Sequence, residues 1–310
     1  MLLREMAKWL RAQLREKPTG ADGVVAVCAD EWHGPVDVGR RWGGLIARGG
    51  EAQVYAAGPH VVARVPHGDA HVKPAAALEF WESTRKVAAV YGGRKQELLG
   101  TSLAVVEVGG VLCAATLTWR AGCTLHDTRY MFDLVAMAHE LAVQLSALHD
   151  AGLAHLDVHG SNVLLFEAED GPVCAELDGA PLRVHAVLAD CSFVSKDCEF
   201  EELYGKITVR PPEAAAKESP YKGSCASDVF MLGCVLHALC RPYPSAMEML
   251  TDKNTSAEHL RALDVVCSDR QARAVWREDA PAELVSFGRA AMSWDAAARP
   301  GARELVAALE

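Results

Sequence analysis

The 310-residue chain is predicted to be an α+β protein, with a small β-rich lobe followed by a larger, mainly helical lobe. Three observations carry that expectation. Between Leu45 and Trp119 the apolar residues fall in short strand-type runs broken by Gly pairs. From Met131 onward they recur at helical spacing. Half of the residues are hydrophobic and 23% are charged, the balance of a chain that buries a core rather than of a disordered one.

Along the chain, MLLREMAKWLRAQLREK places Leu2, Leu3, Met6, Trp9, Leu10 and Leu14 at helical spacing and is expected to form an amphipathic helix without a signal-type apolar stretch. Residues 17–40 are rich in Gly, Pro and Asp, a lead-in with one strand at Val24–Cys28. Residues 1–39 are therefore set apart from a β-rich lobe at 40–118 and a helical lobe at 119–310. In the first lobe LIA, QVYAA, HVVARV, TSLAVVEVGG and VLCAATLTW read as strands, with one helix around Ala75–Val90. In the second, MFDLVAMAHELAVQLSALHDAG reads as a long helix stopped at Gly152.

Charge and composition narrow the function classes. With 41 acidic against 31 basic side chains the net charge is −10, so no basic field draws in nucleic acid or an anionic membrane, and neither is expected as a partner. No apolar run reaches the roughly 18 residues of a membrane span. The ten cysteines contain no C-x-x-C pair and are expected to be free thiols in a reducing compartment. The expected location is intracellular, in the cytoplasm. Oligomeric state is not written in the sequence.

The segment with most chemistry is HLDVHGSNVLLF, His155 to Phe166, between an apolar helix and the strand-like VLLF. A carboxylate and an amide five residues apart on such a loop can place Asp157 at a substrate hydroxyl and Asn162 at a metal ion, the pair that phosphoryl transfer needs. Taken alone, the loop allows two other readings. His155, Asp157 and His159 alternate at period two and on an extended strand would face one side as zinc or manganese ligands. An unspecialised polar loop is the third.

Further along, VHAVLAD puts Asp190 at the end of an apolar strand, followed by Arg210-Pro211-Pro212-Glu213, by SDVFMLGCVLHAL with Asp228 opening a helix, and by Ala298-Arg299-Pro300. With these motifs in this order, the chain from about Leu45 to its end resembles the eukaryotic-type protein kinase family. The resemblance implies a two-lobe protein-kinase-like fold, ATP and magnesium as cofactors, and phosphoryl transfer to the hydroxyl of a protein substrate, Ser/Thr-directed. It implies that Asp157 is the catalytic base and that Asn162 and Asp190 are the magnesium ligands. Glu213 with Arg299 resembles the buried pair that braces the helical lobe, and Asp228 the aspartate that supports the catalytic-loop backbone. Ala47, Gly49, Gly50 and Val54 fall at the glycine-rich loop. Arg64 stands at the phosphate-binding lysine, with Glu82 (Glu79 the alternative) as its helix partner, and Thr118-Trp119 at the hinge against which adenine lies.

The chain also departs from that pattern. Arginine at 64 is longer and planar where the family has lysine. Ala47 and Ala52 replace two of three loop glycines, Ser192 replaces the final glycine after Asp190, and Leu156 the arginine before Asp157. His159 stands where a lysine supports the migrating phosphate, so it is assigned to the catalytic set. Two alternatives stay open on these grounds: a catalytically impaired pseudokinase that works as a nucleotide-binding or scaffold module for a protein partner, and a small-molecule kinase on the same fold.

Overall fold

The computed structural model describes residues 25–28, 44–48, 52–67, 74–108, 111–126, 130–177, 179–194, 198–200, 206–215, 221–240, 257–258, 260–262 and 276–310. The expected helix over Leu2–Leu14 and the loop glycines Gly49 and Gly50 lie outside the described residues. The chain is α+β and divides into two compact units, Met1–Ala121 and Gly122–Glu310.

Strands β1 (Val25–Cys28), β2 (Leu45–Arg48), β3 (Ala52–Ala56), β4 (Val61–Pro66), β5 (Thr101–Val108) and β6 (Val111–Trp119) form an antiparallel sheet in the first unit, in the order β1-β5-β6-β4-β3-β2. The strand of the Gly- and Pro-rich lead-in is thus part of the sheet, paired along β5. Side chains of a strand alternate between its faces. On β4 this sends Val61, Ala63 and Val65 into a buried cluster with Ala104, Val106, Ala115 and Leu117. Arg64 goes to the opposite face, where Ala77 of α1 (Pro74–Tyr91) packs on Leu103 and Ala114. Helix α1 buries Ala77, Phe80, Thr84, Val87 and Ala88, a stripe at three- and four-residue spacing. A short α2 (Gly93–Leu98) follows.

The second unit holds more sheet than the helical periodicity predicts. Strands β7 (Cys123–Thr124), β8 (Tyr130–Phe132), β9 (Val163–Glu167), β10 (Val173–Leu177) and β11 (Ala180–Leu188) make a five-stranded antiparallel sheet in the order β7-β9-β11-β10-β8. The reason is local. Val173 and Ala175 are buried while Cys174 and Glu176 are exposed, a period-two pattern, and Gly179 supplies a φ of +83° for the return. A small pair, β12 (Cys198–Phe200) with β13 (Tyr221–Gly223), lies further on.

Around this sheet stand α3 (Leu134–Asp150), α4 (Pro212–Ala215), α5 (Cys225–Leu239), α6 (Ala282–Ala291) and α7 (Ala302–Leu309). Asp133 caps α3 by accepting from the amides of Val135 and Ala136 at 3.1 Å each. The expected helix start near Met131 is therefore replaced by a short strand and a cap. Buried Gln144 ties α3 to β11: its amide nitrogen donates to the Ala186 carbonyl at 2.9 Å, and its oxygen accepts from Leu188 N at 2.9 Å. That pair of hydrogen bonds sets where β11 ends and Asp190 begins. Among the described residues no helix is long and apolar enough to cross a membrane.

Candidate functional site

After α3 the chain turns at Gly152, with φ +69°, into the loop that carries Asp157. The loop is gripped from the first turn of α5. The Asp228 carboxylate, fully buried, accepts from His155 N at 2.7 Å and Leu156 N at 2.6 Å, and lies 3.0 Å from His149 Nε2. A buried carboxylate is tolerable only when its lone pairs are filled, and these short charge-assisted bonds fill them. They also hold Leu156 at φ +66°, a backbone region that costs a non-glycine residue about 1–3 kcal/mol. The role expected for Asp228 is the one its hydrogen bonds display.

Asp157 is buried at the centre of the loop. Asn162 Nδ2 donates to the Asp157 carbonyl at 3.0 Å and to its Oδ2 at 2.7 Å, and His159 Nε2 stands 3.5 Å from the same Oδ2. Burial pushes the Asp157 carboxyl up, but the hydrogen bond and charge of His159, with smaller help from His155 and Asn162, outweigh it and hold it below the ordinary carboxylate range. The group is an anion at neutral pH. Its Oδ1 is buried with no hydrogen-bond partner among the described residues. An ionised carboxylate is the type of group that accepts a hydrogen in general-base chemistry.

His155 is the neutral neighbour. Complete burial lowers its pKa, against the raising pull of Asp228, Asp157 and Asp190. Its Nδ1 faces Asp157 N at 3.4 Å. Together with Asp157 and His159 it makes no metal site: among the described residues no group of three or more His, Cys, Asp or Glu side chains could hold an ion.

Asn162 and Asp190 arrive from neighbouring strands. The register pairs Val163 with Leu188, and one step outward Ala189 N donates to the Asn162 carbonyl at 2.8 Å. Asp190 follows in the left-handed region at φ +59°, and Ser192 Oγ donates to its Oδ1 at 2.7 Å, a bond that the family's glycine could not make. Amide and carboxylate oxygens are the donor type that a hard cation such as magnesium takes, so the donor chemistry of Asn162 and Asp190 fits that ion. Cys191 is fully buried.

The brace below the loop is complete. Arg299 donates from both terminal nitrogens to Glu213 at 2.7 Å each, from Nε to Ser293 O at 2.9 Å, and to Ala226 O at 3.0 Å. Ser227 Oγ, part of the α5 capping box, donates to Glu213 at 3.0 Å. The bidentate fork fixes α4 and the start of α5, hence Asp228.

In the first unit the register places Ala47 opposite Val54, Val54 opposite Arg64 and Arg64 opposite Thr116. Ala47, Val54 and Arg64 thus stand in one row on one sheet face. Thr118, two residues from Thr116, shares that face, while Trp119 points to the other. On α1 the residue seen against Arg64 is Phe80. The Arg64 guanidinium lies 3.8 Å over the ring of Phe80, whereas Glu82 and Glu79 are exposed on α1. Phe80 is one residue that the motif reading passes over. Helical phase singles it out, since it falls on the Ala77–Thr84 stripe and Glu82 does not. Gln144 is another, and no local pattern marks it. Lys206, which with Val209 stands in GKITVRP where the family has a threonine and a tyrosine, donates from Nζ to Ser161 Oγ at 3.3 Å, a contact that its position alone does not announce.

No family model matches the chain, and no curated protein matches it.

Proposed function

We propose that this chain is an ATP- and magnesium-dependent protein kinase of two-lobe protein-kinase-like fold that transfers a phosphoryl group to a Ser/Thr hydroxyl of a protein substrate. One observation carries the reading. Asp157 is a buried anion whose carboxylate is held by Asn162 and His159, on a backbone gripped by Asp228. In this reading the Asp157 carboxylate accepts the hydrogen of the acceptor hydroxyl and orients it for attack. Asn162 and Asp190 would hold magnesium, which when bound supplies the charge that offsets the phosphate oxygens. Arg64 meets the nucleotide phosphates, with its guanidinium plane set by Phe80.

A second reading, a catalytically impaired pseudokinase that binds nucleotide as a scaffold module, is supported by the departures from the family pattern: Arg64 at the lysine position, Ser192 after Asp190, and Ala47 and Ala52 in place of loop glycines. Thermal melting with saturating ATP, with and without magnesium, followed by label transfer to a generic protein acceptor, separates the two. The kinase reading expects a magnesium-dependent rise in melting temperature, weakened in Asp190→Asn because the metal loses its formally charged ligand, and labelled acceptor. Stabilisation without transfer favours the scaffold reading. No shift at all refutes both.

A further inference from the structure

Phosphoryl transfer concentrates negative charge on the equatorial oxygens of the moving group, and enzymes meet it with a positioned cation. In the catalytic loop the residue at that place is His159, but its Nε2 is directed at Asp157 Oδ2, 3.5 Å away, and its Nδ1 is buried without a partner among the described residues. That imidazole serves the base. The cation has to come from elsewhere.

We propose that Lys206 supplies it, as the catalytic residue that contacts the transferring phosphoryl group. The inference rests on the kinase reading and deepens it. Lys206 Nζ lies 3.3 Å from Ser161 Oγ, inside the single turn of 3-10 helix Gly160–Asn162. Ser161 directly precedes Asn162, whose amide holds the Asp157 carboxylate at 2.7 Å. The lysine therefore enters the same turn that carries the base's partner and a metal ligand. It is half-buried, and its one partner among the described residues is that neutral hydroxyl. A lysine ammonium has three donors and a compact charge, so two donors and the whole charge remain for an anion.

Its backbone is fixed as well. The Lys206 carbonyl accepts from Val209 N at 3.1 Å, opening the 3-10 turn Ile207–Val209, and Val209 is buried. A lysine that merely reaches for water needs neither a fixed stem nor a contact with the catalytic turn.

The experiment uses the full chain and four variants. Lys206→Met keeps the aliphatic stem and removes the charge, Lys206→Arg keeps a charge, Ser161→Ala removes only the anchor, and His159→Gln tests the rival cation. Transfer rates are read as kcat and KM for ATP. Calorimetry compares affinity for ADP–magnesium with that for ADP–magnesium–aluminium fluoride, a mimic of the moving phosphoryl group. Expected is a drop of at least 100-fold in kcat for Lys206→Met with KM within threefold, and partial rescue by Lys206→Arg. Affinity for the fluoride complex should fall at least 30-fold while that for ADP–magnesium is unchanged. Ser161→Ala should lose less than tenfold. Lys206→Met turning over at the parent rate overturns the assignment. So does a slowed Lys206→Met that keeps the parent's affinity for the fluoride complex, since that is a structural effect. So does His159→Gln taking the selective loss of fluoride-complex affinity instead. A parent chain that transfers nothing refutes the kinase reading, and the assignment falls with it; where the parent transfers, the variant rates bear on Lys206 alone.

Discussion

Replacing Asp228 by alanine probes the arrangement on which the Asp157 loop depends. The substitution leaves His155 N and Leu156 N, both on buried residues, without the acceptors they now reach at 2.7 and 2.6 Å. An unsatisfied buried N–H costs about 1–3 kcal/mol. The strained backbone at Leu156, with φ +66°, can relax once released and return part of that cost. The two amides together lose about 2–6 kcal/mol, and with part of the strain returned the expected net loss is about 1–5 kcal/mol of unfolding free energy, near 3 at the centre, or roughly 8 °C in melting temperature for a unit of this size. Asp228→Asn is the sharper comparison. Its single carbonyl oxygen serves one amide while its NH2 confronts the other, so about half of the alanine loss is expected. Urea unfolding gives the free energies, and hydrogen exchange at the amides of 155 and 156 localises them. An alanine variant within about 0.5 kcal/mol of the parent, or an asparagine variant as unstable as alanine, would show that the Asp228 carboxylate does not hold the loop.

Three further outcomes follow from the same geometry. His155, held neutral by burial, takes up a proton less readily than it does in the unfolded chain, whose pKa is about 6.5. Its contribution to stability is therefore complete above pH 6.5 and lost below it at up to about 1.4 kcal/mol per pH unit; His155→Gln should flatten that slope between pH 7 and 5. Arg299→Ala leaves Glu213 without its fork, and because that carboxylate is part exposed and can rehydrate, the loss in urea should sit near 3 kcal/mol, the low end for a broken buried pair. Phe80→Leu keeps bulk but removes the ring beneath Arg64, worth about 1 kcal/mol, so ATP–magnesium affinity by calorimetry should fall about fivefold with the melting temperature little changed.

How much of the molecule is legible in its sequence depends on range. The strands of the first unit and α3 and α5 follow from local periodicity, and Asp157, Asn162, Asp190, Asp228 and the Glu213–Arg299 pair from motif order. β8 and β10 escape because a period-two stretch of five residues is faint beside the long helical pattern of α3. The resemblance assigns Glu82 on α1, and the motif reading passes over Phe80, which the helix phase turns toward Arg64. Lys206 meets Ser161 across 45 residues, a contact made by tertiary folding alone. The glycine-rich loop at Gly49 and Gly50 lies outside the described residues.

The kinase reading stands or falls on Asp157 as a poised base for phosphoryl transfer. Its most direct test is the rate at which the chain moves the labelled γ-phosphate of ATP to a protein hydroxyl, with magnesium, in the parent and in Asp157→Asn. Expected are magnesium-dependent labelling by the parent and a fall of about 10²- to 10⁴-fold in the variant, the range for loss of a general base, with ATP affinity retained. A parent that binds ATP yet labels nothing, or an asparagine variant that labels as fast as the parent, would contradict that role for Asp157.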